Sequence, residues 1–317
     1  ARAHIEQYMH RTGRQITENN WKQALLPVGS RPLYNHNGTA PGFVVEQDER
    51  MLIMLPGPPS ELIPMFDEQV IPYLQSLSDS VMLSRTLHIC GTGESAVESR
   101  LHDQMEAMTN PTLAPYAKEG IVDLRITAKA SSEEEAERMI QPVEVMIRDM
   151  FGDQVFGQDG QTLESVVVQL LQEKGWRVAT AESCSGGWAC GQIVNCPGAS
   201  QVLEGGFVTY SNEAKQSILG VKKETLEQYG AVSEETAKEM ALGAAQALKT
   251  QTAISITGIA GPGGGSAEKP VGTVCIGVAC QGKVWTETFQ FSRNREANRR
   301  LSVVRALNML RLAILQN

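Results

Sequence analysis

The alternation of short apolar runs with segments of helical length, from residue 161 onward, constrains the fold of this chain more than any other feature. The apolar runs have strand character and lie at residues 176–181, 207–210 and 253–256, with a hairpin pattern at 273–291. Strands that alternate with helices predict a mixed or parallel sheet with helices on its faces. We therefore expect a three-layer α/β domain with a mixed sheet over residues 159–317.

Two smaller parts precede this domain. Residues 79–158 contain strand-like runs, a Gly-Thr-Gly-Glu turn and a long helix that begins with three glutamates, which predicts a small α/β connector. Residues 1–78 contain a helical start, a turn-rich stretch, two short strands and a helix that we expect Ser60 to cap. Three domains are compatible with a length of 317 residues.

Composition narrows the possible functions. A formal net charge of -8 argues against broad attraction to nucleic acid or anionic lipid, so nucleic-acid binding is not expected. The longest uncharged stretch, 183–203, is interrupted by Gly, Asn, Gln and Pro, so we expect no membrane-spanning segment. Six cysteines without a C-x-x-C pair predict reduced thiols and a cytoplasmic location.

Histidine is confined to the first third of the chain. All five histidines lie between His4 and His102. The domain at 159–317 therefore cannot build a Ser-His-Asp triad or a histidine-based zinc site from its own residues. A nucleophilic serine in this domain would need a different base.

The first strand of this domain leads into the sequence Ala-Glu-Ser-Cys-Ser-Gly-Gly at 181–187. Ligands of α/β sheets bind at the carboxyl ends of strands, and a helix N-terminus there offers N–H groups to an oxyanion. Ser183 and Ser185 are therefore candidate nucleophiles or ligand-binding hydroxyls. Cys184 is a rival nucleophile, because a helix N-terminus acidifies a thiol. The alternative is a capped helix start with small, buried side chains.

The next strand is followed by Tyr-Ser-Asn-Glu-Ala-Lys at 210–215. A lysine that burial keeps neutral near pH 7 can replace histidine as a base. Lys215 lies about one helical turn beyond the strand end, so it can reach the same edge of the sheet as Ser183. The alternative is an ordinary solvated lysine on a helix.

A glycine-rich loop follows the third strand. Five of the eight residues from 258 to 265 are glycine, a density that suits a backbone folded around a phosphate or a flat ring. The loop has neither Walker spacing nor a G-x-G-x-x-G pattern, and a flexible surface loop is the alternative. Several arginines lie just before or within the last helical segment, and one of them could bind a phosphate.

The motifs at 181–187, 210–215 and 258–265 are followed by Lys-Pro-Val-Gly-Thr at 269–273. Together, and in this order, they closely resemble the C-terminal domain of the CinA family. The segments Thr-Glu-Asn-Asn-Trp at 17–21, Asn-Gly-Thr-Ala-Pro-Gly at 37–42 and Leu-Pro-Gly-Pro-Pro-Ser-Glu at 55–61 resemble the later half of its molybdopterin-binding-like domain. The resemblance implies a partial molybdopterin-binding-like domain at 1–78, a KH-like connector at 79–158 and the CinA C-terminal domain at 159–317.

The resemblance also implies an activity: hydrolysis of nicotinamide mononucleotide to nicotinate mononucleotide and ammonia, in pyridine nucleotide salvage. Such an amidase would use Ser183 as nucleophile and Lys215 as base, with Tyr210 and Thr257 orienting the dyad and the substrate. Deamidation would require no metal or other cofactor, and the protein would form a homodimer. The implied substrate-binding residues are Glu182, Ser185, Gly186, Gly187, Asn212, Gly258, Gly261, Gly263, Gly264 and Arg299.

Two alternatives come from the same family. Its molybdopterin-binding-like domain normally begins earlier, with a first strand and a glycine-rich loop that contribute to an ADP-ribose pyrophosphatase site. A divalent metal is implied only for that activity, in a longer parent protein. The second alternative is a non-enzymatic adaptor in DNA uptake and recombination, to which this acidic chain gives no direct support.

Overall fold

The computed structural model describes residues 1–48 and 50–317, which divide into two compact units. One unit comprises Ala1–Met82 with Lys129–Glu135, and the other comprises Leu83–Ala128 with Ala136–Asn317. Within the described residues, no helix has the length and apolar character needed to cross a bilayer.

The first unit contains a small antiparallel sheet in the order β1-β2-β3. Its elements are α1 (Arg2–Thr12), α2 (Glu18–Lys22), β1 (Arg31–Leu33), β2 (Gly42–Gln47), β3 (Arg50–Met54), α3 (Pro59–Met65) and α4 (Ile71–Ser76), with a π-helical turn between the last two. The prediction of Ser60 as the helix cap is wrong, because α3 begins at Pro59 and Pro58 takes the cap position. Proline suits the first turn of a helix, where no N–H is needed.

The connector forms a four-stranded sheet in the order β5-β6-β4-β7. Its elements are β4 (Val81–Cys90), α5 (Glu94–Ala107), β5 (Thr112–Lys118), β6 (Ile121–Ala130), α6 (Glu133–Phe151) and β7 (Val155–Gln158). The sequence pattern does not predict β5 and β7, which are the two edge strands. Pro115 lies inside β5, and proline in a strand is tolerated mainly at a sheet edge.

The C-terminal part has the predicted mixed sheet, with five strands in the order β12-β11-β10-β8-β9. Its elements are α7 (Leu163–Lys174), β8 (Val178–Glu182), α8 (Trp188–Val194), β9 (Leu203–Val208), α9 (Asn212–Leu219), α10 (Lys223–Tyr229), α11 (Glu234–Leu248), β10 (Thr252–Gly258), β11 (Thr273–Cys280), β12 (Lys283–Gln290) and α12 (Arg295–Leu315). Strand β8 pairs in parallel with β9 and β10, and β11 pairs antiparallel with β10 and β12.

Helices cover both faces of this sheet and bury a separate apolar cluster on each. Val178 of β8 belongs to the cluster under α7, α8 and α12, whereas Ala179 and Ala181 belong to the cluster under α9, α10 and α11. Side chains alternate between the faces of a strand. Continued past the end of β8, this alternation directs Ser183 and Cys184 to opposite faces.

Candidate active site

Ser183 and Lys215 meet at the carboxyl end of β8. The Lys215 Nζ lies 3.1 Å from the Ser183 Oγ, and the two residues are only 1% and 8% exposed. The Ser183 N–H donates to the Ile256 carbonyl at 2.9 Å, which holds the serine against β10. Helix α9 carries Lys215 in its first turn, and the Ser211 hydroxyl caps that helix by accepting the Ala214 N–H. The structure therefore brings the predicted nucleophile and base into hydrogen-bond contact.

The environment of Lys215 favours a neutral amine. Burial lowers the pKa of Lys215 below its ordinary value, and only the charge of an ionised Cys184 would oppose this shift. The Nζ donates to the carbonyls of Thr209 at 2.9 Å and Tyr210 at 3.4 Å. A neutral amine has two N–H donors and one lone pair. The two carbonyls can use both donors, which leaves the lone pair for the Ser183 hydroxyl.

Cys184 is placed differently from its neighbour. Its thiol belongs to the apolar cluster under α7, α8 and α12, and it is 7% exposed. Burial raises the pKa of Cys184 to about 11. A thiol with this pKa is protonated at neutral pH, so Cys184 lacks the acidification that makes a cysteine nucleophilic.

The turn after Ser183 depends on glycine geometry and on Glu182. Gly186 and Gly187 have φ values of 65° and 88°, which side-chain-bearing residues rarely adopt. The fully buried Glu182 carboxylate accepts the N–H groups of Ala189 and Cys190 at 3.0 and 2.9 Å. The expectation that the N-terminus of α8 is open to an oxyanion is therefore wrong for these two donors, because an internal carboxylate occupies them.

Arg299 holds the same turn from α12. Its Nε and Nη2 donate to the carbonyls of Cys184 and Ser185 at 3.0 and 2.8 Å. Its guanidinium also lies over the Trp188 indole, 4.9 Å from the ring centroid. Two of its donor atoms therefore bind the protein backbone, in contrast to the ligand phosphate that the resemblance implies for this residue.

The remaining predicted residues surround the dyad without hydrogen-bonding to it through their side chains. Tyr210 and Asn212 are exposed, and only the Tyr210 carbonyl contacts Lys215. The buried Thr257 hydroxyl donates to the Ala231 carbonyl at 2.7 Å. Ser185 is fully buried, and its Oγ has no hydrogen-bond partner within 1–48 and 50–317.

The glycine-rich loop begins at the end of β10. Gly258 ends the strand, Gly261 and Gly264 have positive φ values of 91° and 88°, and Gly263 lies between them. Two α12 side chains fix this loop: Arg295, one of the arginines considered above as phosphate ligands, and Asn298, which was not predicted. The Arg295 Nη1 donates to the Gly261 carbonyl at 2.7 Å, and the Asn298 Nδ2 donates to the Ala260 carbonyl at 3.1 Å. For Asn298, the only signal in the sequence is its position on the same helix, three residues after Arg295.

No group of three or more His, Cys, Asp or Glu side chains that could hold a metal ion occurs in the described part of the chain.

Comparison with known proteins identifies both parts of the second unit. Residues 160–314 match the CinA C-terminal domain, and residues 84–157 match the damage-inducible protein CinA KH domain. A competence-damage inducible protein of Clostridium tetani is 50% identical over 307 residues, which are 97% of this chain and 75% of that protein. A protein of the same name from Clostridium beijerinckii is 49% identical over 312 residues, 98% of this chain and 76% of that protein.

Among solved structures, the competence/damage inducible protein CihA from Agrobacterium tumefaciens is 44% identical, with a TM-score of 0.47, over 49% of this chain and 94% of that one. The sequence matches extend over nearly the whole chain and about three quarters of the two clostridial proteins. The chain therefore belongs to the CinA family.

Proposed function

We propose that this chain is an amidase that hydrolyses nicotinamide mononucleotide to nicotinate mononucleotide and ammonia. The observation that carries the proposal is the buried contact between Ser183 and Lys215, in a part of the protein that contains no histidine. A serine hydroxyl needs a base to become a nucleophile, and a desolvated lysine can supply it.

In the first half of the reaction, neutral Lys215 accepts the Ser183 proton while the serine oxygen attacks the carboxamide carbon. A C–O bond forms, and the carbonyl electron pair moves to the oxygen. When the tetrahedral intermediate collapses, the C–N bond breaks and the Lys215 ammonium gives its proton to the leaving nitrogen. Ammonia departs, and the nicotinoyl group, with its ribose phosphate still attached, remains on Ser183 as an ester.

In the second half, water attacks the ester carbon and Lys215 takes one proton from the water. Collapse of this intermediate breaks the bond to Ser183, whose oxygen recovers a proton from Lys215. The products are nicotinate mononucleotide and the original neutral dyad. Lys215 therefore acts as both base and acid in each half of the reaction.

Backbone donors for the oxyanion are sought in the turn that directly follows Ser183. The Ser183 N–H is bound to Ile256, and the Gly186 N–H donates to the Ser183 carbonyl at 3.2 Å. The N–H groups of Cys184 and Ser185, the two residues after the nucleophile, donate to no backbone carbonyl within the described residues. They are the proposed oxyanion donors, and Arg299 fixes the peptide between them through the Cys184 carbonyl.

Nucleotide binding is assigned to the loops at this edge of the sheet. The glycine-rich loop follows β10, the strand that pairs with β8. Arg299 has one nitrogen, Nη1, without a hydrogen bond to the described residues. This nitrogen is the proposed donor to the ribose phosphate. The pyridine ring would then lie between the loop and the nucleophile turn.

Ammonia release from nicotinamide mononucleotide, without added metal, tests the proposal. We expect the wild-type chain and Cys184→Ala to release ammonia and Ser183→Ala to release none. An active Ser183→Ala variant with an inactive Cys184→Ala variant would overturn the assignment of the nucleophile. An inactive wild-type chain that is fully folded would overturn the activity.

A further inference from the structure

A second set of polar groups lies away from the proposed active site, where the loop after β4 approaches α12. Gly91, with a φ of 97°, and Gly93 flank Thr92 in this loop. A β-carbon at Gly91 would lie 3.9 Å from the Arg305 Nη1 and 4.0 Å from the Asn308 Nδ2. We call the space bounded by Gly91, Arg305 and Asn308 the Arg305 recess.

Arg305 supplies an unpaired cation to the recess. Its Nε is buried without a hydrogen-bond partner, and its guanidinium forms no ion pair within the described residues. The guanidinium instead lies over the Phe289 ring, 5.7 Å from the centroid. Buried polar groups are nearly always hydrogen-bonded, so an unsatisfied guanidinium nitrogen requires an explanation.

Asn308 adds a second donor from the same helix. The residue is only 7% exposed, and its Oδ1 accepts from the Nε and Nη2 of Arg311 at 3.1 and 2.9 Å. These two bonds fix the orientation of the amide, because an arginine can only donate. The Nδ2 must therefore point away from Arg311, and it has no hydrogen bond to the described residues.

The start of α5 contributes backbone donors. This 14-residue helix has Gly93 at its cap position and no side-chain cap. The N–H groups of Ala96 and Val97 donate to the Gly93 carbonyl, whereas those of Glu94 and Ser95 have no partner among the described residues. Unpaired N–H groups at a helix N-terminus favour an anion.

Neighbouring groups do not neutralise these donors. Arg311 is 3% exposed and hydrogen-bonds to neutral acceptors, Asn308 and the Asp153 carbonyl, while the charge of the Asp153 carboxylate acts on Arg311 without a hydrogen bond. Cys90, before the loop, is a neutral thiol because burial raises its pKa. Glu94, in the first turn of α5, is exposed and makes no ion pair within the described residues.

We propose that the Arg305 recess binds a terminal phosphate group of a small molecule. Arg305, Asn308 and the first N–H groups of α5 would donate to its oxygens, and the open loop at Gly93 would admit it. The buried position of Asn308 favours a protruding terminal group over the internal diesters of a nucleic acid. The net charge of -8 likewise disfavours a polyanion.

Calorimetric titration with inorganic phosphate tests the site. We expect Arg305→Gln to weaken the affinity roughly tenfold or more, because hydrogen bonds to charged groups are strong. The matched control is Arg138→Gln, which changes an exposed arginine on α6 and should bind like the wild type. Equal affinities in the two variants, or no saturable binding to the wild type, would overturn the proposal.

A second variant separates loss of binding from loss of folding. Gly93 has an ordinary φ of -88°, and a β-carbon there would have no atom within 4 Å. Gly93→Asp should therefore cap α5 and raise the melting temperature, while its carboxylate occupies the donors and abolishes phosphate binding. Unchanged phosphate binding in a stabilised Gly93→Asp variant would show that the recess is not the site.

The chemical source of the phosphate is tested by competition. A nucleoside 5′-monophosphate should displace inorganic phosphate, and a single-stranded oligonucleotide without terminal phosphates should not. Displacement by that oligonucleotide, lost in Arg305→Gln, would contradict the terminal-phosphate assignment. All titrations are repeated in Arg299→Gln, which removes the phosphate donor proposed for the amidase site. Phosphate binding through Arg305 should persist there, so the result does not depend on the proposed amidase activity.

Discussion

The Lys215 amine lies 3.1 Å from the Ser183 hydroxyl although the two residues are 32 positions apart in the sequence. Each residue follows the end of one of two neighbouring parallel strands, so the sheet itself brings them together. The lysine has no carboxylate partner among the described residues, and its neighbours are carbonyl groups. Within the described residues, the Lys215 amine therefore contacts a hydroxyl and two carbonyls and forms no ion pair.

Amidase activity should rise with pH through the lowered pKa of Lys215. The neutral amine is the active form of the base, and it predominates only above that pKa. The measurement is kcat/KM for nicotinamide mononucleotide against pH, from mildly acidic to alkaline conditions. A flat profile would contradict the role of Lys215 as the base.

Replacing Lys215 with methionine should reduce kcat by about a hundredfold or more, the scale of a general-base contribution. Lys215→Arg should not restore activity, because a guanidinium stays protonated. Thermal unfolding of both variants serves as the control for folding. Activity near the wild-type level in folded Lys215→Met would show that Lys215 is not the base for Ser183.

The same substitution should change how stability depends on pH. A lysine whose pKa is lowered in the folded state binds more protons when unfolded, so wild-type stability should rise with pH between the lowered and ordinary pKa values. Lys215→Met has no such group, and its stability relative to the wild type should decrease across that window. Urea unfolding at neutral and alkaline pH gives the comparison. If the stability difference between Lys215→Met and the wild type were the same at both pH values, the lowered pKa of Lys215 would be contradicted.

Removing the Glu182 carboxylate should destabilise the turn after Ser183. In Glu182→Ala the N–H groups of Ala189 and Cys190 lose their acceptors, and we expect a loss of about 1–3 kcal/mol in the free energy of unfolding. Glu182→Gln keeps an amide oxygen as one acceptor and should lose less. Urea unfolding measures both variants, and equal stability of Glu182→Ala and wild type would show that the cap is energetically neutral.

Cys184 should resist alkylation by iodoacetamide at mildly alkaline pH. Its pKa of about 11 keeps the thiol protonated, and its side chain is enclosed in an apolar cluster. Half-buried Cys190 is the internal comparison and should react first. Peptide mass mapping after a time course identifies the labelled thiol. Rapid labelling of Cys184 together with loss of activity would support Cys184, rather than Ser183, as the nucleophile.

The sequence predicted the mixed sheet because the strand and helix periods of residues 161–315 are clear, and the structure confirms it. It also placed Ser183 and Lys215 at neighbouring strand ends. The N–H groups bound by Glu182 could not be predicted, because that contact requires the turn to fold back over its own strand. The contacts of Arg299 depend on how the last helix packs, which no local pattern encodes.

Helix α12 carries both Arg299, at the nucleophile turn, and Arg305, at the recess, six positions further along. Successive residues in a helix are rotated by about 100°, so one residue inserted between them would turn Arg305 away from its loop while Arg299 kept its carbonyls. Point substitutions in this segment can be absorbed one at a time, but a change of length cannot. The segment between these arginines should therefore keep a fixed length wherever both sites are retained.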